Sequence, residues 1–201
     1  MKVIGITGGV GSGKSAVLTL LKRICSCRIM MADDIANQLK QPGQSCYQPV
    51  VALLGKEILS GDGTIDNRKM AALVFADQAL LRQVNDIIHP AVKEYILQEI
   101  QAERKRGEIN FLFLGAALLI EAGYRPILDE LWYVYADEQT RILRLMDSRG
   151  YTVEKARGII ASQLSEEEYR ANCDWVLDNS GSMAETEMIL KKYLKESHEN
   201  I

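Results

Sequence analysis

The residue types and spacings most suited to chemistry lie near the start of the chain, in Gly8-Gly9-Val10-Gly11-Ser12-Gly13-Lys14-Ser15. Glycines allow a backbone to curl until successive N–H groups point at the oxygens of a bound phosphate. A helix opening directly after such a loop aims the positive end of its dipole at the same place. Lys14 has the reach for the outer phosphates, and the Ser15 hydroxyl can ligate Mg²⁺. A chance match to the four fixed positions would occur in roughly one chain in a hundred of this length. The flanking apolar run Val3–Thr7 and helical pattern Ala16–Leu21 make chance a weaker explanation still. Gly9, Val10, Gly11, Ser12, Gly13, Lys14, Ser15 and Ala16 are the expected nucleotide contacts.

The elements that must position these groups alternate. A helix is expected to about Arg23, with Leu18, Leu21 and Ile24 on its buried stripe, then a short strand Arg28–Met31. Asp33 and Asp34 follow that strand, where ligands bind in open α/β sheets. Asp33 is the candidate base or metal acid, and Asp34 can equally be a helix cap or first-turn acid. After a helical pattern Ile35–Lys40 and the break Gln41-Pro42-Gly43-Gln44, residues 44–106 read as helical. They comprise Cys46–Leu54, Arg68–Phe75 and a long Gln78–Arg106, with a turn at Gly61–Thr64. His89 lies inside this stretch as either a core residue or a functional one.

Asn110–Leu114 is a continuous apolar run suited to a buried parallel strand. It continues through Gly115 to Glu121, which is either a ligand-end acid or a solvated helix-start acid. Leu131–Tyr135 reads as a fourth strand and Trp175–Leu177 as a last one. Helices are expected over Asp137–Arg149, Val153–Leu164 and Met183–Lys195. Arg141, Arg144, Arg149 and Arg157, with Gln163, suit a phosphate-clamping lid, although a solvated helical face would carry the same charges.

Bulk composition is that of an ordinary globular chain, 47% hydrophobic and 25% charged over 201 residues. A net charge of −3 argues against nucleic-acid or anionic-membrane partners, and no apolar run reaches membrane-spanning length. Cys25, Cys27, Cys46 and Cys173 show no zinc spacing, so reduced thiols and a cytoplasmic setting are expected. Cys25-x-Cys27 reads as a helix end entering a strand.

Alternating strands and helices behind a phosphate loop imply a three-layer α/β/α P-loop fold with a parallel sheet. A switch-type GTPase would carry Asp-x-x-Gly after a strand and an Asn-Lys-x-Asp base-reading motif, and neither is present. A small-molecule kinase needs an acceptor-binding insert, an acid beside the acceptor hydroxyl and an arginine-bearing lid. The chain has a candidate for each: a helical insert at about 33–106, Asp33, and a lid at about 138–172, within one domain of residues 1–201. The expected chemistry is in-line transfer of a γ-phosphoryl group, with Lys14, Mg²⁺ and lid arginines neutralising charge and Asp33 accepting the hydroxyl proton.

The ordered set of motifs resembles the dephospho-CoA kinase family over most of the chain. Gly5–Ser15 is similar to the family's opening nearly residue for residue. Ala32-Asp33 with Ile35-Ala36 resembles its acidic segment, where the aspartate is taken as the base. Asp62-Gly63-Thr64-Ile65, Arg68, Val74-Phe75-Ala76 and Ile88-His89-Pro90 resemble its helical acceptor region. Leu118-Leu119-x-Glu121 and Asp178-Asn179-Ser180-Gly181 resemble two further segments, the second near the adenine. The resemblance implies ATP and Mg²⁺ as cofactors and dephospho-CoA as acceptor. It also implies Asp33, Lys14 and Arg149 as catalytic, Asn179 as nucleotide-binding, and Asp33, Arg68, His89, Leu118 and Glu121 as substrate-binding. A monomer or weak homo-oligomer is expected.

Departures from the pattern fall at Ala117 for proline, Asn37 for arginine and Met31 for a second aspartate. In the lid, Ser148 and Ile159 stand where the family tends to have arginine, with Arg149 and Arg157 nearby but out of register. Two other readings stay open: another small-acceptor kinase, for a nucleoside monophosphate or sugar acid, and a nucleotide-binding protein that has lost catalysis.

Overall fold

Apolar runs bounded by turns become the strands of a single sheet in a computed structural model that describes residues 1–198. The strands are β1 (Lys2–Thr7), β2 (Cys27–Met31), β3 (Phe111–Gly115), β4 (Glu130–Tyr135) and β5 (Trp175–Asp178), in the order β2-β3-β1-β4-β5. β1 pairs parallel to β3, with Ile6 opposite Gly115, and parallel to β4, with Thr7 opposite Tyr133. β4 pairs parallel to β5. Side chains from both faces of the central strands are buried: Val3, Ile4 and Ile6 of β1 and Phe111–Leu114 of β3 are solvent-free. Uninterrupted hydrophobicity in these runs is therefore the signature of a sheet covered on both sides.

The helices are α1 (Lys14–Ile24), α2 (Ala32–Leu39), α3 (Tyr47–Leu54), α4 (Asn67–Ala76), α5 (Gln78–Arg106), α6 (Glu138–Arg149), α7 (Val153–Ala161), α8 (Glu166–Asn172) and α9 (Met183–His198). The chain packs as two compact units, Met30–Ala102 and the remainder, which joins Met1–Ile29 to the chain from Glu103 on. Within the unit of Met30–Ala102 the core comes from Val50, Leu54, Ile58, Val74, Val84, Ile88, Val92 and Ile96. A hairpin-like turn there brings Leu59 to bridge Ile65 antiparallel. Lys40, 7% exposed there, donates to Asn67 Oδ1 at 2.7 Å.

Four expectations need correction. α2 begins at Ala32, so Asp33 and Asp34 lie in its first turn rather than before the helix. On α1, Val17 and Leu20 join Leu18 and Leu21 in the core, whereas Ile24 is only half-buried at the helix end. β3 stops at Gly115, and residues 117–123 form bends and turns in which Glu121 is exposed. α7 ends at Ala161, which puts Gln163 in a turn, and α8 follows as a separate helix. The signal for α8 is in the sequence: Ser165-x-x-Glu168 forms a reciprocal capping box.

Closure of the sheet on α9 centres on one carboxylate. Glu130 accepts from Lys2 Nζ, from Trp132 Nε1 at 2.7 Å and from the Tyr193 hydroxyl at 3.1 Å. The Trp132 ring meets Trp175 and Tyr193 edge-on with centroids 4.7 and 5.0 Å apart, so β1, β4, β5 and α9 converge on this corner. Burial opposes ionisation of Glu130, but the donors outweigh it and hold the carboxyl below its ordinary value. A depressed folded-state pKa stabilises the fold above the unfolded value and is lost as pH falls through the folded one. Glu130→Gln should therefore lower urea-unfolding stability by about 1–2 kcal/mol at pH 7, with the deficit shrinking toward pH 3. A deficit constant across that range would show that the charge plays no part.

Candidate active site

A loop that turns its N–H groups toward a ligand must turn carbonyls outward, and those carbonyls need donors. The loop leaves β1 at Gly8, whose φ of 143° and proximity to Val134 (an added Cβ would sit 2.4 Å from its carbonyl oxygen) exclude a side chain. It enters α1 at Gly13, where φ is 94° and an added Cβ would lie 2.2 Å from Asn179 Nδ2. Between them, the outward carbonyls are met in turn. Lys14 Nζ donates to the Gly8 and Gly9 oxygens at 2.5 and 3.1 Å. Arg141 Nε donates to the Val10 oxygen at 2.9 Å. The Ser12 oxygen accepts from Asn179 Nδ2 at 2.8 Å and from Arg144 Nη1 at 3.2 Å.

These donors come from elements far apart in sequence. α6 is capped by Asp137, whose carboxylate accepts the Thr140 N–H, and a positive-φ Gly150 ends it. Residues three apart on a helix share a face, so α6 presents Arg141 and Arg144 to the loop together. Arg144 Nη2 also donates to the Asn179 backbone oxygen at 2.8 Å. Asn179, 1% exposed just after β5, is itself fixed by the buried Thr186 hydroxyl, which donates to its Oδ1 at 2.8 Å. The Asn179 side chain thus braces the loop.

Two hydroxyls in or beside the loop remain available. Ser12 Oγ is buried and has no hydrogen-bond partner among the described residues. Ser15 lies exposed in the first turn of α1. Beside the loop, Leu118 and Glu121 face Gln163, Leu164, Glu168 and Tyr169 across a cavity of about 400 Å³. Tyr169 stacks on Tyr133 with ring centroids 4.5 Å apart. Burial, helped by the nearby Glu121 charge, pushes its phenol up to about 12, so it stays neutral well above physiological pH.

Gly9 through Ala16 and Asn179 are brought together here, with Leu118 and Glu121 on the adjoining cavity. Arg149 is exposed in the last turn of α6, its guanidinium 6.0 Å from the Tyr151 ring centroid, and Arg157 lies 3.9 Å from Glu138 on the surface. Asp33, Arg68 and His89 belong to the unit of Met30–Ala102 and are each exposed: Asp33 in the first turn of α2, Arg68 in that of α4, His89 on α5 beside Pro90. Sequence reasoning did not identify Tyr169 and Glu168 as a cavity wall. Among the described residues no group of three or more His, Cys, Asp or Glu could hold a metal, all four cysteines are free, and no helix is long and apolar enough to cross a membrane.

A strand, a braced glycine loop and a helix at the centre of a parallel sheet define a P-loop kinase fold. The dephospho-CoA kinase family model matches residues 2–185. A dephospho-CoA kinase of Geobacter sulfurreducens is 37% identical over 188 residues, which cover 93% of this chain and 94% of that one. Among solved structures, TT1252 from Thermus thermophilus superposes with a TM-score of 0.80 at 32% identity, covering 97% of both chains. Dephospho-CoA kinase from Campylobacter jejuni gives 0.74 at 20% identity, covering 99% and 98%. The chain belongs to the dephospho-CoA kinase family.

Because Asn179 supplies a buried donor and acceptor at once, Asn179→Ala leaves the Thr186 hydroxyl only the Ser182 carbonyl, at 3.2 Å, and removes one of two side-chain donors to the Ser12 oxygen. It should cost about 2–3 kcal/mol in denaturant unfolding and weaken ATP binding. Loss of stability without loss of ATP affinity would show that Arg144 alone suffices for the loop.

Proposed function

We propose that the chain transfers the γ-phosphoryl group of ATP to the ribose 3′-hydroxyl of dephospho-CoA, giving coenzyme A and ADP. The observation that carries this reading is a family match across residues 2–185 that includes a phosphate loop with its outward carbonyls satisfied. The inward face of that loop and the dipole of α1 suit a polyphosphate. The Ser12 hydroxyl, without a partner among the described residues, is left a hydrogen bond to donate, which a phosphate oxygen can accept.

Mg²⁺ suits the donor set: it binds through few protein oxygens and keeps phosphate and water ligands. The exposed Ser15 hydroxyl is the group that would hold it. When bound, the ion neutralises charge on the phosphates. Lys14, now folded onto the Gly8 and Gly9 carbonyls, has an ammonium that serves the outer phosphates. In the transfer, a bond forms between the acceptor oxygen and the γ-phosphorus while the bond to the bridging oxygen of ADP breaks. Asp33 takes the hydroxyl proton, an assignment supported by its place after β2 in the family's acidic segment.

Residues 33–106 serve as the acceptor-binding insert, with Arg68 and His89 on it, and residues 138–172 as the lid that excludes water. Leu118 and Glu121, on the cavity beside the loop, serve the acceptor as well. Arg149 acts from the lid, a role its exposed position leaves free. The four free thiols suit a reducing cytoplasm.

ADP release with Mg-ATP, compared for dephospho-CoA, nucleoside monophosphates, gluconate and shikimate, should show turnover on dephospho-CoA alone. Tight ATP binding without turnover on any acceptor would overturn the reading in favour of a nucleotide-binding protein impaired by its altered lid. Asp33→Asn should lower kcat by about 10²–10⁴-fold, the usual range for a general base, and leave ATP affinity unchanged. An unaltered kcat would remove Asp33 from the reaction.

A further inference from the structure

Two donors meet on one oxygen at the tip of the phosphate loop. The Val10 N–H points at Gln163 Oε1 at 2.9 Å, and Arg141 Nη2 reaches the same atom at 2.7 Å. Gln163 sits in the turn after α7, so its side chain comes to the loop from the lid. We infer that the Val10 N–H and Arg141 Nη2 form an oxyanion site for a phosphoryl oxygen of the bound nucleotide, and that Gln163 Oε1 fills this site until the nucleotide displaces it. The inference rests on the reading that the loop binds ATP.

Three observations carry it. Loop N–H groups of this motif serve phosphate oxygens, and here the Val10 N–H is engaged by a neutral amide oxygen instead. Arg141 is 9% exposed and has no carboxylate partner among the described residues. A buried guanidinium facing only neutral acceptors is under-compensated, and an arriving phosphate would supply the missing negative charge through a shorter, stronger bond. Finally, the guanidinium is held in place independently of Gln163. Its Nε is tied to the Val10 oxygen, and Nη2 lies against Gly9, where an added Cβ would come within 2.2 Å.

The same geometry separates the lid arginines. Arg144 is committed to the carbonyls of Ser12 and Asn179 and acts as a brace. Arg149 and Arg157 make their contacts with Tyr151 and Glu138. Arg141 therefore carries, from an earlier turn of α6, a guanidinium to the loop in a chain with Ser148 and Ile159 at two positions where an arginine is usual.

ATP affinity, measured by calorimetric titration on the full chain, tests this with two substitutions of opposite expected sign. Gln163→Leu removes the competing oxygen and should tighten ATP binding about fivefold, the worth of one neutral hydrogen bond. Gln163→Glu puts a charge-assisted acceptor on Arg141 and should weaken ATP binding at least tenfold, with melting temperature unchanged or raised. Arg141→Lys, a point charge that cannot keep both bonds, should weaken ATP binding about tenfold. Should Gln163→Leu fold poorly, Gln163→Met gives the same removal with a flexible chain. Equal weakening by the Leu or Met and Glu variants, or no effect of Arg141→Lys, would overturn the inference. Absence of ATP binding by the unmodified chain would refute the nucleotide reading itself.

Discussion

The structure around the loop depends on a simple constraint of the peptide backbone: a segment cannot offer its N–H groups to a ligand without exposing its carbonyls behind. In bulk protein those carbonyls would find a helix or a ladder. Here they find side chains. Lys14 caps Gly8 and Gly9, Arg141 holds Val10, and Asn179 with Arg144 holds Ser12. The geometry of the anion cradle is thus set from outside, by α6 and by the turn after β5. That accounts for the length of chain needed to build a site made of eight residues.

The arrangement also gives arginine two distinct physical roles on one helix. Arg144 satisfies backbone oxygens and is locked by them, and its planar fork reaches two carbonyls at once. Arg141 uses one edge of its fork in the same way and leaves the other facing a replaceable acceptor. Preorganised donors of this sort act without reorganising when charge arrives. Gln163 also lines the cavity between Leu118 and Tyr169, so the loop, the turn after α7 and the cavity adjoin within one unit.

Much of this was legible in the sequence. Gly-x-x-x-x-Gly-Lys-Ser after an apolar run specifies strand, loop and helix, because both fixed glycines, Gly8 and Gly13, hold positive φ against neighbouring groups. The continuous hydrophobicity of β1 and β3 implied a sheet covered on both faces, and α5 was readable from end to end. Boundaries were less so. α2 starts at Ala32, although its apolar period begins only at Ile35, because the first turn of a helix needs no buried residue. α7 stops at Ala161, although the period runs on to Leu164, because the capping box at Ser165 opens a new helix.

By itself the sequence determined the fold and the family: a glycine-rich loop between strand and helix, alternating elements around it, and an ordered set of motifs. Such information is local, carried by spacing and by the conformations glycine permits. Tertiary structure alone decided which arginine faces what. Arg141, Arg144, Arg149 and Arg157 are equivalent as letters, and their separation into brace, oxyanion donor and surface charges follows from where α6 lies against Val10 and Ser12. It likewise turned Asn179 into a buried brace and Glu130 into the corner of the sheet. The physical reason is that a hydrogen bond depends on position to within a few tenths of an ångström, and no spacing along a chain encodes distances between residues more than a hundred apart.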